Sequence, residues 1–319
     1  MSFSGAVKEE LTRQIDSARH CNLAELAAIL GSCGSVQFTE EGRTELVVHT
    51  ENEGIARKCF TLLKKTFNME TVIVADESAH SKRGKGFFLR IQDEITAGNV
   101  LEGTKMLVDT VAGGLKLQRH CLITQKECCK RAYIRGAFLA SGSISDPNKG
   151  YHFEIVFSDE EKAEQLQTMI RSFHIDAKTV LRKKSYVVYV KEGAQIVDML
   201  AIMGASVALM DLENIRILKE MRNSVNRKVN CETANLNKTV NAAVKQIEDI
   251  RLIEQKRGFE SLPENLSEIA VLRLQYPDAT LKELGMMLVP QVGKSGVNHR
   301  LRKLSLMAEE LRESEEETL

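Results

Sequence analysis

The chain has 319 residues, enough for two or three domains at the usual size of roughly 100–200 residues each. Hydrophobic residues make up 43% and charged residues 28%, as in an ordinary globular protein, so extensive disorder is excluded. The 44 basic and 44 acidic side chains cancel, so any attraction to a polyanion must come from local clusters of charge.

Membrane insertion and export are not expected. The longest uncharged apolar segment, 199–210, has 12 residues, which is shorter than the roughly 18 residues that span a bilayer. Lys8, Glu9 and Glu10 stand where a signal peptide would have its apolar region. We therefore expect a cytoplasmic protein with no membrane contact.

The seven cysteines indicate free thiols. Their number is odd and no Cys-x-x-Cys spacing occurs, so neither a disulfide framework nor a zinc motif is predicted. The adjacent Cys128 and Cys129 could share a metal, but no second ligand pair follows at zinc spacing. Free Cys is among the residue types most often buried, and the pattern indicates no metal and no cofactor.

Charge is unevenly distributed along the chain. Basic side chains are concentrated in segments 171–191, 214–230 and 280–304, each of which contains a single acidic residue. The last eleven residues have the opposite sign, with six glutamates and one arginine. A single basic run is usually a solvated surface, but three on a neutral chain favour a face that binds a polyanion.

A repeat organises the first two thirds of the chain. Segments 26–36 and 134–144 both read as a helix rich in small residues that ends in Gly-Ser and a β-branched residue. We expect Gly34 and Gly142 to stop these helices in the left-handed conformation, which glycine adopts readily.

Similar elements are predicted after each motif. In the first repeat we expect strands at 36–38, 46–50, 72–74 and 87–91, a turn at 41–43, and helices from Asn52 and at 97–108. In the second we expect strands near Ser143 and at 151–157, 179–181 and 186–190, a turn at 146–150, a helix opened by a Ser158–Glu161 capping box, and a helix at 194–203.

These elements predict an α+β domain built from two αββαββα units about 108 residues apart. Two such units place eight strands in two antiparallel sheets. The motif helices are expected to pack against each other through small residues that allow backbones to approach closely. Those residues are Ala27, Ala28, Gly31, Gly136, Ala140 and Ser141.

The motif pair and the duplicated unit resemble the LAGLIDADG homing endonucleases. The resemblance implies an acidic residue directly before the last glycine of each motif, and these two residues hold the metals for phosphodiester cleavage. The matching positions are Cys33 and Ser141, and neither supplies the carboxylate that a Mg²⁺ site needs. The nearest acid after the second motif, Asp146, reads as a turn former. We therefore expect a nuclease fold without catalytic residues.

The segment 213–241 is rich in Asn, Arg and Lys, with six asparagines between 223 and 241. It reads either as a connector with polar caps or as a stretch that contacts phosphates and base edges, and both interpretations stay open. Apolar residues then recur at helical spacing from Leu236, which predicts an amphipathic linker helix of roughly 20 residues ending at Gly258.

Residues 262–312 predict a helix-turn-helix domain. A helix opens at Pro263 and stops at Pro277, a capping box of Thr280 and Glu283 opens a short helix, and a turn follows at 289–293. Ser295 is expected to cap the third helix, whose N-terminal part would enter the major groove of DNA. The candidate DNA-binding residues are Thr280, Lys282, Lys294, Ser295, Gly296, Asn298, His299, Arg300, Arg302 and Lys303. A core packing unit is the alternative interpretation.

The whole chain is similar to the WhiA family, most strongly in segments 131–140, 221–239 and 294–304. The resemblance implies a cytoplasmic, nucleoid-associated bacterial transcription regulator linked to cell division, the cell cycle, chromosome segregation and, in spore-forming lineages, sporulation. Double-stranded DNA is the expected partner, with RNA polymerase and division proteins as further candidates. The expected domains are 1–215, with pseudo-repeats 1–112 and 113–215, an Asn/Arg-rich linker segment at 216–258, and a helix-turn-helix domain at 259–319.

Two other functions remain open. One is an active endonuclease whose ligands the motifs do not reveal. The other is a protein-interaction or nucleoid-associated scaffold that acts through the nuclease-like domain.

Overall fold

The computed structural model describes residues 2–38, 44–69, 72–76, 86–108, 115–118 and 122–316. The chain forms two compact units, Met1–Lys219 and Glu220–Leu319. The turn predicted at 41–43 lies outside the described residues. Within them, no helix is both long and apolar enough to cross a bilayer.

The first unit contains the predicted repeat. Its first half consists of α1 (Phe3–Thr12), α2 (Arg19–Cys33), β1 (Gly34–Phe38), β2 (Thr44–Thr50), α3 (Glu53–Phe67), β3 (Val72–Asp76), β4 (Gly86–Ile91) and α4 (Glu94–Gly103). A short hairpin follows, with strands β5 (Met106–Val108) and β6 (Leu115–Leu117). Its second half consists of α5 (Glu127–Ser141), β7 (Gly142–Ile144), β8 (Phe153–Phe157), α6 (Glu160–Arg171), β9 (Lys178–Arg182), β10 (Ser185–Val190) and α7 (Gly193–Met203).

Two four-stranded antiparallel sheets confirm the predicted architecture. Their strand orders are β1-β2-β4-β3 and β7-β8-β10-β9, so the two halves have the same topology. Alternate residues of the central strands enter the main core, as the two-residue repeat of a strand predicts. Leu46, Val48 and Leu89 do so in the first sheet, and Phe153, Ile155 and Val188 in the second.

The glycines that end the motif helices have another role than the predicted one. Gly34 and Gly142 have φ values of −92° and −87°, which is extended backbone and not the left-handed conformation. A Cβ atom on Gly34 would lie 2.6 Å from the Leu30 carbonyl oxygen, and one on Gly142 would lie 2.3 Å from Cδ2 of Phe138. The position requires glycine because the chain turns sharply from helix to strand, leaving no room for a side chain.

Two boundaries also differ from the sequence prediction. Asp159, not Ser158, caps α6, because its carboxylate accepts a hydrogen bond from the Lys162 amide at 3.3 Å. The helix predicted at 97–108 is α4, which ends at Gly103, and residues 106–108 form β5. Helical spacing of apolar residues therefore continued past the true end of the helix into a strand.

Helices α2 and α5 pack against each other at the centre of the first unit, as the small residues predict. A Cβ atom on Gly136 would lie 2.4 Å from the Glu25 carbonyl oxygen and 2.9 Å from Cβ of Ala28. The two backbones are therefore so close that only glycine fits at this crossing.

A buried cluster of charges lies at the same interface. Glu25 is fully buried and accepts hydrogen bonds from Lys58 at 2.5 Å and from Arg135 at 2.9 and 2.8 Å. Arg135 also pairs with Asp16, and Lys58 donates to the Leu11 carbonyl at 2.7 Å. Every charge is partnered, as burial of ions requires. The apolar periodicity of the sequence did not predict this cluster.

Helix α8 (Ser206–Arg257) is continuous over 52 residues and includes the whole Asn-rich segment. The linker helix expected to begin at Leu236 therefore begins thirty residues earlier. Asn has only a modest intrinsic cost in a helix, and no glycine or proline occurs between Ser206 and Arg257 to stop it. The predicted end is confirmed, because Gly258 has a φ of +72°.

The second unit contains the predicted three-helix arrangement: α9 (Glu264–Gln275), α10 (Leu281–Met287) and α11 (Lys294–Glu316). Ile250 and Ile253 of α8 join its core together with Leu266, Ile269, Leu284, Val297, Leu301 and Leu304. Helix α11 begins at Lys294, so Ser295 lies within the first turn and is not the residue that precedes it.

Candidate nucleic-acid interface

Helix α10 is held in place by the predicted capping box. The Thr280 amide donates to the Glu283 carboxylate at 2.7 Å, and the Glu283 amide donates to the Thr280 hydroxyl at 3.3 Å. The bond from the Thr280 amide is the largest cause that lowers the pKa of the Glu283 carboxyl, and the Thr280 side chain adds to it. Thr280 therefore contributes to the start of the helix, whatever else it contacts.

A buried arginine fixes the connection between α9 and α10. Arg273 is 2% exposed, and its Nη1 donates to the carbonyls of Ala279 at 2.7 Å and Pro277 at 3.3 Å. Since a guanidinium has several donors in a rigid plane, one side chain can hold both ends of this turn. The sequence prediction placed Arg273 in α9 but gave it no role.

The turn between α10 and α11 depends on two glycines. The Val292 amide donates to the Gly285 carbonyl at 3.0 Å. A Cβ atom on Gly285 would lie 2.1 Å from the Val292 carbonyl oxygen, and one on Gly296 would lie 2.4 Å from Cγ1 of Val292. Gly296 thus makes room for Val292 within the protein, which accounts for this glycine without a nearby phosphate.

Helix α11 has one buried and one polar side. Val297, Leu301, Leu304 and Ala308 are at most 1% exposed and form the buried side. The opposite side and its flank carry exposed polar and basic residues, which we name the α11 ridge: Lys294, Ser295, Asn298, His299, Arg302 and Lys303. Thr280 and Lys282 at the start of α10 are both exposed.

Arg300 does not belong to the α11 ridge. Its side chain is half-buried, and Nη1 donates to the Asn265 carbonyl at 3.3 Å. This contact joins α11 to the start of α9, so the structure gives Arg300 a role in packing the three helices together.

A groove between α11 and the last part of α8 lies beside the ridge. Asn298, Arg302 and Ser305 line it from α11, and Ala242, Lys245 and Gln246 line it from α8. Lys245 is also 3.1 Å from the Glu309 carboxylate. Lys245 and Gln246 could not be predicted from the sequence, because their nearness to α11 depends on how α8 packs in this unit.

The Asn-rich part of α8 presents a regular polar face. Asn223, Asn230 and Asn237 are exposed and seven residues apart, so they lie along one side of the helix. Arg227 and Lys238 are exposed on the same side. Amide groups both donate and accept hydrogen bonds, and two cations among them add positive charge, a combination that suits phosphates and base edges.

The ends of the motif helices lack the chemistry of a Mg²⁺ site. Cys33 is half-buried, and burial raises the pKa of its thiol to about 11, so the thiol is neutral near pH 7. The Ser141 hydroxyl donates to the Ala137 carbonyl at 3.5 Å. Within the described ranges, no three His, Cys, Asp or Glu side chains come together at this end of the helix pair in a way that could hold a metal.

Models of known families match most of the chain. A WhiA N-terminal LAGLIDADG-like domain matches residues 19–107, a WhiA LAGLIDADG-like domain matches 130–222, and a WhiA C-terminal HTH domain matches 225–308. The chain is 55% identical to a probable cell division protein WhiA of Lachnoclostridium phytofermentans, over 98% of this chain and 100% of the relative. It is 49% identical to one of Clostridium beijerinckii, over 98% and 100%.

The fold is also similar to a solved structure. Full-length WhiA from Thermatoga maritima superposes with a TM-score of 0.59 and 24% identity, covering 97% of this chain and 99% of the other. The chain is therefore a two-part protein with a duplicated LAGLIDADG-like domain and a C-terminal helix-turn-helix domain. It belongs to the WhiA family, whose relatives here are bacterial proteins named for cell division.

Proposed function

We propose that this protein is a sequence-specific DNA-binding transcription regulator that does not cleave DNA. The α11 ridge is the observation that carries the proposal. It presents cationic and amide side chains along one side of a helix in a helix-turn-helix unit, the position from which such helices read the major groove. The relatives are named as probable cell division proteins, so the proposed biological setting is cell division. The protein would act in the cytoplasm, associated with the nucleoid.

Each side of the ridge would make a different kind of contact. Arg302 lies beside the groove with Asn298, and this pair suits guanine and adenine edges. Lys303 is exposed on the far side of the helix and suits a phosphate. Exposed His299 lies between them. Base contacts supply specificity, and phosphate contacts supply affinity that depends on salt.

Binding measurements on two variants separate these roles. Arg302→Ala should lose about 1–3 kcal/mol of discrimination between target and unrelated DNA. Lys303→Ala should weaken binding evenly on both and make the salt slope shallower by about one. Arg257→Ala, which removes an exposed cation at the end of α8, is the matched control and should change neither quantity. A wild-type salt slope near zero, or uniform losses in both ridge variants, would refute the proposal.

The target sites can be identified by genome-wide crosslinking of the full chain. The wild-type protein should enrich discrete loci, and a variant with both Arg302→Ala and Lys303→Ala should lose that enrichment. Equal enrichment by both proteins would mean that the ridge does not select the sites.

Absence of cleavage is proposed from the motif ends. Cys33 and Ser141 stand where carboxylates would have to hold Mg²⁺, and neither is an anion near neutral pH. Supercoiled plasmid incubated with the pure protein and Mg²⁺ should stay intact. Nicking that persists in a Cys33→Ala variant would show that other residues carry a nuclease site.

A second candidate function, protein interaction, is supported by the edge strand β9. Val180 and Leu181 in this strand are 45% and 59% exposed, and an edge strand keeps unpaired backbone hydrogen-bonding groups. A partner strand could add to this edge, with acidic residues opposite Arg182 and Lys178. Val180→Lys should abolish capture of RNA polymerase or division proteins by the full chain and leave DNA affinity unchanged. Capture that survives the substitution would reject this edge.

A further inference from the structure

Four metal-ligating side chains meet at the N-terminal ends of the motif helices, in the first unit. Nδ1 of His20 is 3.2 Å from Sγ of Cys129 and 3.3 Å from Sγ of Cys21. These atoms and the Cys128 sulfur all lie within 4.8 Å of one another. The cluster is at the opposite end of α2 and α5 from Cys33 and Ser141.

The internal repeat explains how the cluster arises. His20 and Cys21 are the second and third residues of α2, and Cys128 and Cys129 are the second and third residues of α5. Each ligand is therefore 108 residues from its counterpart, the same offset that separates the two repeats. Close packing of α2 on α5 brings the two pairs together across the interface.

The donor set suits a zinc ion. Three sulfurs and one imidazole nitrogen are a common structural combination for Zn²⁺, with bonds of about 2.3 Å to sulfur and 2.0–2.1 Å to nitrogen. A tetrahedron with such bonds has edges of roughly 3.5–3.8 Å. The 3.2 and 3.3 Å separations and the 4.8 Å limit bracket these edges, so small side-chain rotations would complete the geometry.

We propose that His20, Cys21, Cys128 and Cys129 form a structural Zn²⁺ site that joins the N-terminal ends of α2 and α5. The ion binds Nδ1 of the imidazole and three thiolates. Three thiol protons leave to solvent as the four coordinate bonds form, so the bound cluster carries one negative charge. The N-terminal turns of two helices offset that charge, because their free amides favour an anion there.

Burial divides the ligands into two kinds. Cys21 and Cys129 are buried, whereas Cys128 is exposed. The exposed Cys128 gives an ion a route from solvent, and the two buried cysteines then shield it.

Metal content of the full chain tests the site directly. Protein purified without chelators should contain one zinc per chain by mass spectrometry of the metal. Replacing zinc with Co²⁺ should give thiolate-to-cobalt charge-transfer absorption and the ligand-field bands of a tetrahedral site. Removing the ion with a chelator should lower the melting temperature, because a ligand that binds only the folded state stabilises it.

Three variants give the comparison. Cys128→Ser changes an exposed ligand and should therefore disturb folding least, and His20→Ala removes the nitrogen donor. Both should lose the stoichiometric zinc and the cobalt bands while keeping the far-ultraviolet circular dichroism of the wild type. Cys231→Ser, an exposed cysteine of the second unit, should keep both signals.

Three results would overturn the proposal. The first is wild-type protein that neither contains zinc nor gives cobalt bands after reduction. The second is a zinc content that Cys128→Ser and His20→Ala leave unchanged. The third is a disulfide among Cys21, Cys128 and Cys129 in protein isolated anaerobically, detected as the loss of two hydrogens in peptide mass. None of these readouts depends on DNA binding.

Discussion

The buried charge cluster should make the first unit sensitive to the loss of one carboxylate. In Glu25→Gln the side chain keeps its size but loses its charge, leaving Lys58 and Arg135 without their shared buried anion. Glu25 accepts one hydrogen bond from Lys58 at 2.5 Å and two from Arg135 at 2.9 and 2.8 Å, so three charge-assisted bonds weaken together. Breaking a buried ion pair by removing one partner costs about 3–5 kcal/mol.

The lower part of that range is expected here. The amide oxygen of the substituted side chain can still accept one hydrogen bond, and Arg135 keeps its pair with Asp16. A loss of about 3 kcal/mol in a unit of this size corresponds to a melting temperature lower by roughly 6–12 °C. The loss should appear in unfolding free energy and not in DNA affinity, because the cluster lies in the first unit.

Tyrosine fluorescence during urea unfolding isolates the effect. The chain has no tryptophan, and four of its five tyrosines precede residue 220, so the signal reports mainly on the first unit. Glu53→Gln is the matched control: it makes the same change in a carboxylate that is 55% exposed and pairs with Arg57 within α3. It should cost at most about 0.5 kcal/mol. Equal midpoints for the two variants would refute the reasoning that burial makes the Glu25 cluster important.

Three further changes have expected outcomes. Gly136→Ala should destabilise the first unit by about 1–3 kcal/mol in urea unfolding, because the new Cβ would lie 2.4 Å from the Glu25 carbonyl oxygen. The control Gly98→Ala has open space around it and should stabilise the unit by about 0.5–1 kcal/mol. The capping bonds lower the pKa of Glu283 in the folded state. Its stabilising contribution is therefore present above the unfolded pKa of about 4.3 and is lost as the pH falls through the lower pKa of the folded state. Glu283→Gln should reduce the loss of stability in acid, measured by circular dichroism. Arg273→Leu should reduce thermal stability of the second unit by about 1.5–3 kcal/mol through the loss of its charged hydrogen bonds, with calorimetry as the measurement.

Most of the fold could be predicted because the signals are local. Alternation in segments such as 153–157 identifies half-buried strands, and the repeat of residues 26–36 at 134–144 predicts two equivalent sheets. The capping box of Thr280 and Glu283 is a four-residue pattern that predicts the start of a helix, and α10 begins there. Predictions were wrong where one local pattern is compatible with two structures. Gly34 was predicted to be a left-handed cap, but it is required because a Cβ does not fit at the tight junction between α2 and β1.

The rest could not be predicted because it depends on contacts distant in sequence. No local pattern predicts that Lys58, Glu25 and Arg135 meet, because only the packing of α2 with α3 and α5 buries them together. The continuous helix α8 was missed for another reason. Asparagine favours turns, but its free-energy cost within a helix is small, and no glycine or proline interrupts this segment. The bond from Arg300 to the Asn265 carbonyl likewise depends on how α11 packs against α9.

The two ends of the α2 and α5 pair illustrate one physical principle. An internal repeat places equivalent residues at equivalent positions on two packed helices. A pair of neighbouring ligands in one repeat can therefore meet the equivalent pair of the other repeat. At the C-terminal ends, the equivalent residues are Cys33 and Ser141, and neither supplies the carboxylate that a hard cation prefers. At the N-terminal ends, equivalent positions in each helix supply three sulfurs and a nitrogen. Each end must therefore be assessed from its own donor atoms, because the shared fold determines where ligands meet and the side chains determine which ion they can bind.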